Sequence, residues 1–216
     1  FTSWIFVFSN YFLKLAERGD FKKVELEEAG YLCEEVSTAV EHQESRIEKA
    51  IALFLADEVS KDCLLTEADF TFWQPVPVDR DWGYLAKAYA NKLDLETFEQ
   101  YLNKVCEENE EGTACSLAQY EADPSSENAE SILNDKKSIA VNVKFTIDSF
   151  ESGHYDKAEI GFKELLEEAG FQSFALKGLV KSLWAQNKKD LSRGVYLASF
   201  SQLKDSEKIE ISAWTC

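Results

Sequence analysis

"GHYDKAEIGFKELLEEAG", residues 153–170, opens on Gly153, with an aromatic ring two positions on at Tyr155 and a small residue three beyond that at Ala158. Phe162, Leu165 and Leu166 then continue one apolar face at helical spacing. Glycine reaches the left-handed backbone conformation that ends a helix at no steric cost. The order therefore predicts a sharp turn followed by a helix whose ring packs back on its predecessor. "GDFKKV" repeats the order at Gly19, Phe21 and Val24, and "LDLETF" repeats it less closely at Leu93, Leu95 and Phe98. Upstream of the last, "WGYLAKAYA" sets Trp82, Leu85, Ala86 and Tyr89 on one helical face, with Ala86 small where two helices must approach closely. The stretch is one copy of a helix-turn-helix unit used repeatedly.

Working outward, apolar spacing at three and four residues predicts helices over about 2–18, 20–37, 38–58, 65–73, 81–92, 94–108, 113–122, 126–135, 137–152, 155–169, 171–187 and 189–202. They fall into pairs, punctuated by "ERGD" at 17–20, "NEEGT" at 109–113, "ADPSS" at 122–126 and "ESGH" at 151–154. Nine Gly and three Pro are few breakers for 216 residues, and the runs rich in Ala, Leu, Glu and Lys favour helix over sheet, so the class is all-α. "QPVPVDRD" at 74–81 is a weak joint, because Pro75 and Pro77 forbid helix and bias their predecessors toward extended backbone. One helical-repeat domain is expected over 1–205, followed by a tail over 206–216.

Forty Asp and Glu against 23 Lys and Arg give a net charge of -17, so most of the surface would repel a phosphate backbone. No nucleic-acid partner is expected. No stretch reaches the roughly 20 apolar residues that a membrane span needs. "WIFVFSNYFLKLA", Trp4–Ala16, comes nearest, is interrupted by Ser9, Asn10 and Lys14, and reads as a buried first helix, the alternative being the stump of a longer hydrophobic segment lost to trimming. The chain begins at Phe1 and has no Met, which points to a processed or trimmed chain whose targeting signal would have left with the removed part.

Residues able to carry chemistry are sparse. The five cysteines, Cys33, Cys63, Cys106, Cys115 and Cys216, form no CxxC pair and have no neighbouring His, so no metal is expected. Cys33, beside Tyr31 and Leu32, reads as a core residue. His42 in "EHQES" and His154 in "GHYDKA" read as solvent-facing residues without the orienting partner and nucleophile that catalysis requires. No Gly-rich phosphate loop, HExxH or GxSxG occurs, so no cofactor and no enzymatic activity are expected. The acidic runs "ELEEAGYLCEEV" and "CEENEEG" read as solvated helix faces. "DFTFWQPVPV" differs: Phe70, Phe72 and Trp73 precede two prolines and are candidates for an exposed anchor in a loop.

On the turn order of Gly153, Tyr155 and Ala158 and the helix face of Trp82, Leu85, Ala86 and Tyr89, the chain resembles the tetratricopeptide repeat family, whose unit is about 34 residues long. Units over about 5–38, 79–112 and 139–172 carry the pattern best, and 39–78, 113–138 and 173–203 fit as degenerate pairs. The turn residues at 19, 93 and 153 are unevenly spaced, and the Pro usual in the family is missing after residue 169. The resemblance implies an α-α superhelix of about six antiparallel pairs whose first helices line a groove. By position that lining is Ser9, Leu13 and Glu17, then Arg80, Lys87 and Asn91, then Lys144, Ile147 and Glu151. The stretch from Tyr84 to Asp123 is similar to the Sel1-like branch, where one helix ends and the next begins in Cys, here Cys106 and Cys115. The ends of such a turn lie close enough for a disulfide, and two small apolar residues buried in helix ends is the alternative.

These features together point to a non-catalytic scaffold that binds a protein or peptide in its groove, in the manner of a subunit of an envelope or secretion assembly. The alternative is a small-ligand binder or enzyme with a pocket closed by the aromatic-proline loop at 70–78. A disulfide between Cys106 and Cys115 favours an extracytoplasmic over a cytoplasmic location.

Overall fold

The structure, a computed structural model, describes residues 33–39, 45–73, 79–123 and 138–200, with 208, 209, 211 and 212 near the end. Everything regular among these residues is helical: α1 (Glu34–Ala39), α2 (Arg46–Leu55), α3 (Lys61–Trp73), α4 (Arg80–Ala90), α5 (Leu95–Glu108), α6 (Thr113–Ala122), α7 (Ile139–Glu151), α8 (Tyr155–Leu165), α9 (Gln172–Ala185) and α10 (Lys189–Ser199). The chain is all-α over these segments. Ser9, Leu13, Glu17, His42, Cys216, the joint residues 74–78 and the helix expected over 126–135 lie outside the described residues.

The ends of these helices are written into the sequence. Ser45, Asp94 and Ser138 cap α2, α5 and α7, each side chain accepting a backbone N–H three residues on. The opening stretch behaves as its residues dictate. Gly153 takes φ +80° and closes α7 with paired bonds from its own N–H to Phe150 O and from His154 N–H to Ser149 O, the Schellman arrangement. Ala158 is then fully buried and the Tyr155 ring meets Phe150 edge-on at 5.5 Å. The end of α9 is the same device: Asn187 takes φ +61°, Lys188 N–H reaches Leu183 O, and Ser192 occupies the buried place of Ala158. Gly153 and Asn187 stand 34 residues apart, as do Ala158 and Ser192. Asn tolerates the left-handed region, and the Ser192 hydroxyl is satisfied by donating to Val180 O at 3.0 Å.

Each helix from α1 to α6 packs on the next in sequence, as does each from α7 to α10. In addition α2 packs on α4, α4 on α6, and α2 on α7. The N-terminal ends of α2, α4 and α7 meet where the Ser45 hydroxyl donates to Asp79 and the Ser138 hydroxyl donates to Glu48 at 2.8 Å. α7 is covered on every side: no residue from Ser138 to Phe150 is exposed, and Ala140, Val143 and Thr146 are at 0%. Its polar residues Asn142, Lys144 and Asp148 are held by partners, Asn142 donating to Glu164 and Lys144 pairing with Asp148 and Glu121. It shares the main core with α2–α6, while Phe150, Phe162 and Phe174 carry the packing onward in a row of edge-on rings through α8 and α9. Gly161 faces Thr146, and Gly178 lies directly against the Phe162 ring, so both glycines permit close helix approach.

Two disulfides join helix starts and turns. Cys106 bonds Cys115 across the α5–α6 turn, Cα to Cα 4.6 Å. Cys33, expected as an unbonded core residue, instead bonds Cys63, tying the start of α1 to the start of α3. The spacing of 30 residues hides that pair, which forms because a knot of charge draws α1, α2 and α3 together. The Arg46 guanidinium donates to both oxygens of Glu67 (2.6 and 2.8 Å), to Cys33 O and to Ser37, while Cys33 N–H also donates to Glu67.

Candidate functional site

A polar cluster lies where the C-terminal halves of α4, α6 and α7 come together. Tyr89 Oη donates to Glu121 Oε1 at 3.0 Å, and Tyr120 Oη donates to Asp148 Oδ2 at 2.6 Å. Lys144 Nζ sits between the two carboxylates, 2.7 Å from each Asp148 oxygen and 3.1 Å from Glu121 Oε1, with the Tyr120 ring centroid at 5.3 Å. Lys92, more exposed, reaches Glu121 Oε2 at 3.2 Å. Helical spacing sets this up: Lys144 and Asp148 are one turn apart on α7, and Tyr120 and Glu121 close the last turn of α6.

The electrostatics follow from burial and partners. Burial, then the Glu121 carboxylate, pushes the Tyr89 phenol well above its ordinary range, and burial, then the bond to Asp148, does the same for Tyr120. Burial works against the Lys144 charge, but Glu121 and Asp148 outweigh it and hold the ammonium above its ordinary value. These bonds run from α4 to α6 and from α6 to α7, so the cluster clasps the three helices together. At the opposite end of α7, Glu48 accepts from Ser138 and from the N–H groups of Ile139 and Ala140, and burial raises its carboxyl above the usual range despite those bonds.

The residues assigned by position to a groove are distributed differently among the described helices. Lys144 belongs to the clasp. Lys87 faces α3, 2.9 Å from Asp69 and over the Phe72 ring at 4.6 Å. Arg80 opens α4, Asn91 closes it by donating from its amide to Lys87 O, and Ile147 packs against the main core. Glu151 is exposed at the end of α7. The aromatic run requires a correction. Phe70, Phe72 and Trp73 belong to the last turn of α3, not to a loop, because Leu64 and Ala68 bury the helix against its neighbours up to that point. Phe72 is half-buried, 4.8 Å from the Tyr84 ring and against Gly83.

The clasp residues Tyr120, Glu121 and Asp148 were not singled out from sequence. Their spacing of 28 residues between Tyr120 and Asp148 leaves no local pattern to read. Among the described residues one group of potential metal ligands gathers, Cys33, Glu35 and Cys63, and its two sulfurs are bonded to each other instead of standing as thiolates. No described helix is long and apolar enough to cross a membrane. Comparison with known proteins returns no matching family model, no matching curated protein and no matching solved structure.

Proposed function

We propose that this chain is a non-catalytic scaffold that binds a protein or peptide, built from tetratricopeptide-like helix pairs and working in an oxidising, extracytoplasmic compartment. The observation that carries this is the reuse of one turn-and-helix device at a 34-residue interval, Gly153 with Ala158 and then Asn187 with Ser192, in helices that each pack on the next. Units that bury their apolar faces only against neighbours leave an extended surface free for a partner. In the first half, α7 packs on α2 and is bonded to α6 through Lys144 and Asp148, so part of the first-helix surface there is taken up within the chain. On α9, the first helix of the last pair, Lys177, Lys181 and Trp184 are only partly buried. Leu191 and Leu197 on α10 add exposed apolar side chains of the kind that anchor contacts. The two disulfides favour an envelope or secreted setting.

The test is recovery of a partner from the native source on the intact, oxidised chain, followed by calorimetry with that partner made separately. Saturable one-to-one binding supports the scaffold. Turnover of a small substrate, or no protein that binds when reconstituted, overturns it.

A further inference from the structure

One side of α4 is not buried: Arg80, Tyr84 and Lys87, with Asn91 just past its end, each about one turn from the last. α5 runs alongside and sets the Tyr101 ring 6.3 Å from the Tyr84 ring, with the exposed Lys104 placing Nζ 5.5 and 5.6 Å from their centroids. The cations on this face are in different states. Lys87 is neutralised by Asp69 at 2.9 Å, and Lys104 rests on the two rings. Arg80 has its Nε–H shut away from solvent with no acceptor. Its neighbours do not supply one: Asp79 accepts from Ser45, and Asp81 accepts from Trp82 N–H and from Asn109. Arg46 shows the contrast, since both oxygens of Glu67 meet its guanidinium. A buried donor left unmade costs about 1–3 kcal/mol, more when it carries charge, and an acceptor supplied from outside the fold removes that cost.

We propose that Arg80 anchors a carboxylate-binding site on this face, beside Tyr84 and Lys104, and that its ligand is an Asp or Glu side chain of a partner protein with an apolar residue next to it. The proposal rests on the scaffold function put forward above and specifies its partner. A carboxylate meets the guanidinium fork in parallel bonds, one of them from Nε, which gives the orphaned donor its acceptor. The partly open Tyr84 and Tyr101 rings offer flat apolar area for the neighbouring side chain. Asp69 on one flank and Glu108 on the other are both exposed, so a long polyanion is repelled at each edge while a single carboxylate fits between them.

The experiment uses the full oxidised chain and the capped peptide Gly-Leu-Asp-Leu-Gly, followed by nuclear magnetic resonance of arginine Nε–H pairs. The arginines are Arg18, Arg46, Arg80 and Arg193, so the signal that disappears in Arg80→Lys is assigned to Arg80. A saturable shift of that signal is expected, with affinity falling as salt rises. By calorimetry with the same peptide, Arg80→Met should weaken binding about tenfold and Arg80→Lys by less. Lys157→Gln, an exposed cation on α8, should leave it unchanged. Because the Arg80 Nε–H bonds to nothing within the fold, Arg80→Met should keep the Tm of the parent while it loses the peptide, a split that a purely structural arginine would not show. The proposal is overturned by no saturable shift, by an equal shift with the Asn peptide, by equal or tighter binding of inorganic phosphate or oligothymidylate, or by parallel loss of Tm and binding in Arg80→Met. If a partner recovered from the native source is retained by Arg80→Met, this assignment fails and the scaffold stands. If nothing is recovered by the parent chain, the scaffold fails.

Discussion

Replacing Lys144 with Met should destabilise the protein by about 2–3 kcal/mol, through the carboxylates it leaves behind. Lys144 is 11% exposed and Glu121 only 5%, so the pair is close to the buried limit, where removing one partner costs about 3–5 kcal/mol. Two features pull the value down. Glu121 keeps the Tyr89 hydroxyl and Lys92, and Asp148, 22% exposed, keeps the Tyr120 hydroxyl and some water. For a chain of this size the expected loss corresponds to a fall in Tm of about 5–10 °C, read by far-ultraviolet circular dichroism with the disulfides intact. Adding Glu121→Gln to Lys144→Met should recover much of the loss, because the uncompensated charge goes with it, whereas Glu121→Gln alone should destabilise. A Lys144→Met protein within 0.5 kcal/mol of wild type, on the scale of an ordinary surface change, would refute the clasp. So would a double variant whose loss is the plain sum of the two.

Other perturbations separate by sign. Gly178→Ala should destabilise by about 1–3 kcal/mol, since the new methyl meets the Phe162 ring, while Gly194→Ala, in α10 with open space around it, should stabilise by about 0.5–1 kcal/mol in the same melting assay. Glu159 is held down to about 2, first by its bond from Lys163 and then by Lys188. Its stabilising contribution is therefore present above the ordinary Glu range and is lost as pH falls toward 2, a slope that Glu159→Gln should flatten in denaturant titrations at stepped pH. Glu48 has the opposite sign. Its raised carboxyl gives a contribution present at acid pH and lost as pH rises through the folded value, so Glu48→Gln should stabilise near neutrality and gain nothing in acid. Removing the Cys33–Cys63 link, which closes a 30-residue span, should cost about 3–4 kcal/mol, and removing Cys106–Cys115 about 2–3 kcal/mol, by chain entropy. Peptide mapping of unreduced protein checks both pairings.

Local features were legible in the sequence and long-range ones were not. The helices from α4 onward fall within a few residues of where apolar spacing puts them, because each has one buried face and a cap or left-handed residue at its ends. The span expected as one helix over 38–58 begins instead at Ser45, whose hydroxyl caps α2. The Gly153 turn was readable from glycine's freedom, but its counterpart at Asn187 was not, since Asn, Lys189 and Ser192 replace Gly, Tyr and Ala with residues that meet the same geometry by other means. The helix expected over 65–73 does reach Trp73, and only the reading of Phe70, Phe72 and Trp73 as loop residues, suggested by the prolines that follow, differs from the structure. The packing of α7 on α2 joins Glu48 to Ser138 across 90 residues, and nothing in the periodicity of either helix announces the other.

The most direct test is hydrogen exchange on the oxidised chain with and without its recovered partner. The account predicts added protection across α4 and α5, with α7 and α9 unchanged. Protection gained in α7 and α9 instead, or nowhere in the chain, would contradict it.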